Sequence, residues 1–169
     1  MRDKDLLLSL LKSSVKKCYS NDASLIDRSM EQASVGRIFY YMQEAMSYDK
    51  RFTSLKHYDL DIEYNKNGYH IKETSRCQRG TKPDIILHRR QSLDHNLLIV
   101  EFKARKSRIR KYKDTGINMD FIKLEDFTSN YKYNYFLGVY VKLNKNNATY
   151  KYFQNEEERA ENELLDDIN

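Results

Sequence analysis

Tryptophan is absent from this 169-residue chain, proline occurs once, cysteine twice and glycine five times. Two cysteines, Cys18 and Cys77, cannot build the disulfide framework of a small secreted scaffold, and they lack the paired spacing of a zinc site. A reducing, cytoplasmic setting is therefore expected. Scarce proline and glycine, with 40% hydrophobic and 12% aromatic residues, exclude collagen-like, mucin-like and wholly disordered chains. No apolar run approaches the ~20 residues of a membrane span. The short cluster from Leu6 to Leu11 is interrupted by Ser9 and followed by no small-residue cleavage site, so neither a signal peptide nor membrane contact is expected. A Gly-rich phosphate loop and a GxSxG elbow are missing too.

Charge, by contrast, is abundant and unevenly spread. The chain carries 30 Lys plus Arg against 25 Asp plus Glu, a net of +5. Residues 155–169 hold seven acids against Arg159 alone, a net of −6 that leaves +11 on residues 1–154. The densest basic stretch is Lys103, Arg105, Lys106, Arg108, Arg110, Lys111 and Lys113, with no acid among them. Such a stretch attracts a polyanion, although alone it reads equally well as a solvated loop.

Periodicity supplies the elements. Leu7, Leu8, Leu11 and Val15 predict an amphipathic helix over 4–19, and Val35, Ile38, Phe39, Met42, Ala45 and Met46 a second over 27–47. Alternation of Tyr58, Leu60, Ile62 and Tyr64 with acids predicts a half-exposed strand over 58–64. Residues 65–80 read as loop with a short strand at 69–71. Strands follow at 83–88 and 97–103 as an antiparallel pair, then a helix over 119–128 and strands at 133–143 and 148–153. The acidic end reads as a marginal surface helix. This order predicts one α/β domain over 1–154, a central mixed sheet flanked by helices, with 155–169 as a tail.

The only proline, Pro83, precedes Asp84 at the head of the apolar strand Ile85-Ile86-Leu87. An acid there is unusual, because an unpaired carboxylate is costly to desolvate. The next strand ends Glu101-Phe102-Lys103, and alternation points Glu101 and Lys103 to one face. If the strands pair, Asp84 and Glu101 face each other with Cβ atoms about 5 Å apart. Two carboxylates so close call for a cation. A hard, oxygen-bound ion such as Mg2+ fits them, and Lys103 could reach a water or a phosphate oxygen beside it. Glu31 continues the stripe Val35, Ile38, Met42, so it faces the sheet as well. The plain alternative is a structural ion pair at a sheet edge, or, for Glu31, an ordinary surface carboxylate. His88 shares parity with Asp84 and could approach a substrate. His57, His70 and His95 show no ligand spacing, and tyrosines such as Tyr131, Tyr133, Tyr135 and Tyr140 read as packing residues before base-stacking ones.

Pro83-Asp84 followed by Glu101-Phe102-Lys103 resembles the signature of the PD-(D/E)xK nuclease superfamily, an acid after proline on one strand and acid-any-Lys on the next. The resemblance covers residues 27–153 and implies a restriction-endonuclease-like three-layer core. It further implies that Asp84, Glu101 and the Phe102 backbone carbonyl bind Mg2+, with Mn2+ as a substitute. Glu31 would assist as a further acid, with Asp27 and Glu44 as weaker matches, and Lys103 would position or activate water. Asp61-Ile62-Glu63-Tyr64-Asn65 is similar to a strand in small, little-characterised members. A longer insertion over 68–82 and the acidic tail depart from the Holliday junction resolvase branch.

The expected function is thus metal-dependent hydrolysis of nucleic-acid phosphodiesters, DNA favoured over RNA, with Arg105, Lys106, Arg108, Arg110, Lys111 and Lys113 along the backbone path and a homodimer as one way to cut two strands. The alternatives are a nucleic-acid-binding module or complex subunit that keeps the fold without turnover, and a protein-interaction domain suggested by the tail.

Overall fold

The computed structural model describes residues 3–67, 70–74, 76, 81–92, 95–111, 115–129, 133–154 and 157–159. Cys77, Lys113, Tyr131 and most of the acidic tail lie outside them. Among these residues there are three helices, α1 (Lys4–Asp27), α2 (Glu31–Tyr48) and α3 (Met119–Thr128), with a 3-10 turn at Lys50–Leu55. The strands are β1 (Asp59–Ile62), β2 (Lys66–Asn67), β3 (His70–Ile71), β4 (Ile85–His88), β5 (Leu98–Ala104), β6 (Leu137–Leu143), β7 (Ala148–Gln154) and β8 (Glu157–Arg159). No helix among the described residues is long and apolar enough to cross a membrane.

A six-stranded sheet runs β1-β4-β5-β6-β7-β8, and β2 and β3 form a separate ribbon. Only β5 and β6 are parallel, because α3 crosses between them; every other pair in the large sheet is antiparallel. The α/β expectation, a mixed sheet flanked by helices, is what the chain adopts. Leu98, Val100 and Phe102 point toward α1 and α2 with Ile85, Leu87, Val139 and Val141. Ile99 points the other way, with Ile86 and Tyr140, against Leu124 and Phe127 of α3. Buried on both faces, β5 reads as an unbroken apolar run until Glu101.

Boundaries moved for local reasons. Asp3 caps α1 by accepting from the Leu6 amide at 3.0 Å, and the helix runs through a kink at Asp22 well past residue 19. Ser29, at φ 57°, turns the chain before α2, which starts at Glu31 and not at 27. Glu63, also left-handed at φ 49°, ends β1 short of Tyr64. Residues 157–159, expected as helix, instead extend the sheet as β8 along β7. Gly138 of β6 sets the seat of α3, since a Cβ there would lie 3.0 Å from Thr128 Cγ2. The N-terminal turn of α3 lies over the end of β5, where Asp120 Oδ2 is 3.6 Å from Lys103 Nζ.

Candidate functional site

The site is built on an interruption in the sheet. β4 and β5 pair from Leu87↔Leu98 to Ile85↔Val100, and one step further that register sets Asp84 opposite Glu101. There β4 stops, while β5 continues to Ala104 with β6 on its other side. The amides of β5 that would have met β4 find carboxylates instead. Asp84 Oδ2 accepts from the Phe102 N–H at 2.6 Å, and Glu31 Oε2 accepts from the Ala104 N–H at 2.7 Å. A residue's N–H and C=O share one edge of an extended strand, so the Phe102 carbonyl lies on the Asp84 side. Glu31, first residue of α2, reaches this edge from one layer and α3 approaches from the other.

Alternation sends Glu101 and Lys103 toward α3, and α3 supplies two partners that the sequence reading missed, Asp120 and Lys123. Lys123 Nζ lies 3.1 Å from Glu101 Oε2 and 3.1 Å from Asp120 Oδ1. Lys103 Nζ sits 3.4 Å from Glu31 Oε1 and 3.6 Å from Asp120 Oδ2, a looser arrangement, and does not bond Glu101. Four carboxylates and two ammonium groups thus share one end of the α3 face. The available signal was the pair Asp120 and Lys123 at i and i+3 in the helix directly after the Glu101-Phe102-Lys103 strand, hidden because Phe121, Leu124 and Phe127 define its apolar stripe.

The electrostatics are unbalanced. Burial pushes the Glu101 carboxyl up to about 8 against the pull of Lys123, with Asp84 and Asp120 adding to the rise. Burial likewise lifts Asp84 to about 6, against the Phe102 N–H and Lys123. Burial works against the Lys123 charge, yet Glu101 and Asp120 together hold it above its ordinary value. Glu101 is 3% exposed, and its Oε1 has no hydrogen-bond donor among the described residues.

These donors are all hard oxygens, the chemistry a Mg2+ or Mn2+ ion takes, and one of them is buried without a partner. Asp84 and Glu101 fit such an ion with the Phe102 carbonyl beside them. Among the described residues no three His, Cys, Asp or Glu side chains converge on one point as they stand. Each acid is turned onto an internal donor: Glu31 to Ala104 and Lys103, Asp84 to Phe102, Glu101 and Asp120 to Lys123.

The basic segment leaves the same strand. After Ala104 it runs out and returns to α3 through a bridge between Lys111 and Asn118 and a 2.8 Å bond from the Met119 amide to the Arg110 carbonyl. Arg105, Lys106, Arg108, Arg110 and Lys111 are exposed. None of the five forms an ion pair with a described residue.

His88 does not join the site. It is buried four residues along β4, with Nε2 2.9 Å from Asp61 Oδ2 and its ring against Tyr64. Asp27 is the exposed last residue of α1, and Glu44 pairs with Lys17 on the outer helical layer. Tyr133, Tyr135 and Tyr140 are buried packing residues. Compared with family models and with curated proteins, the chain gives no match.

Proposed function

We propose that the chain is a divalent-metal-dependent nuclease of the PD-(D/E)xK type, acting on nucleic acid with DNA favoured. The observation that carries this reading is the gathering of Asp84, Glu101, Glu31 and Lys103 at the open edge of β5, beside five exposed cations that no described acid neutralises. Asp84, Glu101 and the Phe102 carbonyl would hold Mg2+, which supplies polarisation of the phosphate and a lower pKa for water. Lys103 orients the attacking water or offsets charge on a phosphate oxygen; at 3.4 and 3.6 Å from its acids it can turn outward without breaking a tight bond. Glu31 fixes the edge by holding the Ala104 amide and aims Lys103. The exposed cations from Arg105 to Lys111 hold the phosphate backbone, which positions the duplex or strand without reading sequence.

Cleavage assays with Mg2+ on single-stranded DNA, duplex DNA and RNA test this. Cleavage by the wild type that Lys103→Ala and Asp84→Ala abolish is the expected result; activity surviving both substitutions overturns it. The internal pairing of every acid favours one second reading, a nucleic-acid-binding module without turnover. That reading predicts a melting temperature insensitive to Mg2+ and Mn2+, since a ligand of the native state stabilises by mass action.

A further inference from the structure

Lys123 occupies an unusual place in the acid cluster. Its ammonium lies midway between Glu101 and Asp120, 3.1 Å from each, and its side chain is only 13% exposed. Glu101 is the most deeply buried acid of the site, and its second oxygen, Oε1, is buried with no donor among the described residues. A buried carboxylate with one oxygen on an ammonium and one on nothing is half compensated. Asp84, across the register from Glu101, takes its hydrogen bond from a backbone amide and makes no ion pair with a described lysine. The cation that Asp84 and Glu101 would share and the ammonium of Lys123 therefore draw on the same carboxylate.

We propose that Lys123 is an internal counter-ion of this site, and that its ammonium and a divalent cation compete for Glu101. The inference rests on the metal-site reading above and adds the regulation of that site. Lys123 can yield because Asp120, one turn earlier on the same helix, stays within its reach when Glu101 is taken. Its flexible four-carbon stem then presents the ammonium toward incoming phosphate, so metal and nucleic acid each favour binding of the other. Lys103 and Lys123 differ in this respect: Lys103 touches Glu31 and Asp120 but not the shared acid.

Calorimetric titration of the full chain with Ca2+, an ion chosen to read binding without turnover, tests the competition. Lys123→Met removes the ammonium, and Lys123→Gln removes the charge while keeping a donor for Glu101. Both are expected to bind Ca2+ at least ~10-fold more tightly than the wild type, an amount equal to about 1.4 kcal/mol. Lys123→Arg restores wild-type affinity. A Lys123 variant that folds only when Ca2+ is added supports the same conclusion. In the wild type, saturating Ca2+ must shift the side-chain NMR signal of Lys123. Wild-type binding that neither neutral variant strengthens, or a Lys123 signal that does not move, overturns the inference alone. Absence of Ca2+ binding in all of these proteins overturns both the inference and the metal-site reading.

Discussion

The two ends of the α3 face both bury charge, and they do so in opposite ways. At the N-terminal end of α3, Glu31, Asp84, Glu101 and Asp120 outnumber Lys103 and Lys123, and the buried carboxyls of Asp84 and Glu101 rise to about 6 and about 8. Toward the C-terminal end, Asp61 is held by His88 at 2.9 Å and by Arg90, and these bonds keep its carboxyl below the ordinary value in spite of burial. Lys72 completes that second cluster. It is 3% exposed, donates to the Tyr135 hydroxyl at 2.8 Å and lies 5.2 Å from the ring centroids of Tyr64 and Tyr135. Beside it the Glu73 amide donates to Tyr133, which donates back to the Glu73 carbonyl. The second cluster fastens Lys72 and Glu73 over the sheet, and Arg76 is paired to Glu125 2.9 Å away and to Asp126. There the Asp61 charge is compensated and builds structure, while the buried ammonium of Lys72 is held by a hydroxyl and aromatic rings against the cost of its burial. At the other end the carboxylates outnumber the ammonium groups, and that imbalance is what the proposed metal site rests on.

The largest expected effect falls on the unbalanced end. Glu101→Gln should lower Mg2+-dependent cleavage by about 100-fold or more while leaving the melting temperature no lower, because the substitution removes a carboxylate whose charge burial disfavours. A large loss of stability with cleavage retained would instead place Glu101 among structural ion pairs.

Lys72 gives the next effect, in the pH dependence of stability. Burial lowers its pKa to about 8 from an ordinary value near 10.5. The folded state then binds fewer protons than the unfolded state between those values. A penalty of about 3 kcal/mol is fully present below pH 8 and is relieved as pH rises toward 10.5. The stability difference between wild type and Lys72→Met should accordingly change in favour of the wild type across pH 8 to 9.5. Using the difference removes the opposing contribution of Cys18, whose thiol burial pushes up to about 12. Parallel curves for the two proteins would contradict the account of this cluster.

Asp61→Asn should destabilise by about 1–3 kcal/mol, the cost of weakening charge-assisted bonds from His88 and Arg90, with cleavage per folded molecule unchanged. Thermal melts and active-site-normalised rates separate the two quantities. The smallest effect belongs to the exposed segment. Replacing Arg108 and Arg110 by Gln should reduce the salt slope of DNA affinity by about two, and an unchanged slope would remove that segment from the phosphate path.

Much of the first cluster is legible in sequence because its residues sit on regular elements. Period-two alternation places Glu101 and Lys103 on one face, the pairing of β4 with β5 sets Asp84 across from Glu101, and the helical stripe of α2 aims Glu31 inward. Asp120 and Lys123 escape because polar positions beside an apolar stripe look solvent-facing until the approach allowed by Gly138 seats α3 on the sheet. The second cluster escapes for a different reason. Lys72 lies in a segment with no apolar period, and its burial depends on Tyr64, Phe127 and Tyr135, which are far apart in sequence. The amphipathic pattern of α1 marks its first sixteen residues but not its extension to Asp27, which is held by the Asp22 carboxylate clamping Arg37 and Tyr41 of α2.

Asp84→Asn tests the central claim most directly. Its amide oxygen can still accept from the Phe102 N–H, so the edge of β5 is preserved while the charge is removed. Because the folded state raises the Asp84 pKa to about 6, its carboxylate costs stability above that pH and less as pH falls toward the ordinary value. Measured together at pH 7.5, the melting temperature of Asp84→Asn should rise, by the equivalent of about 1–3 kcal/mol, and its Mg2+-dependent cleavage of DNA should fall by about 100-fold or more. A protein that melts lower and cuts as fast as the wild type would show that Asp84 serves the fold and that the open edge of β5 is not a catalytic site.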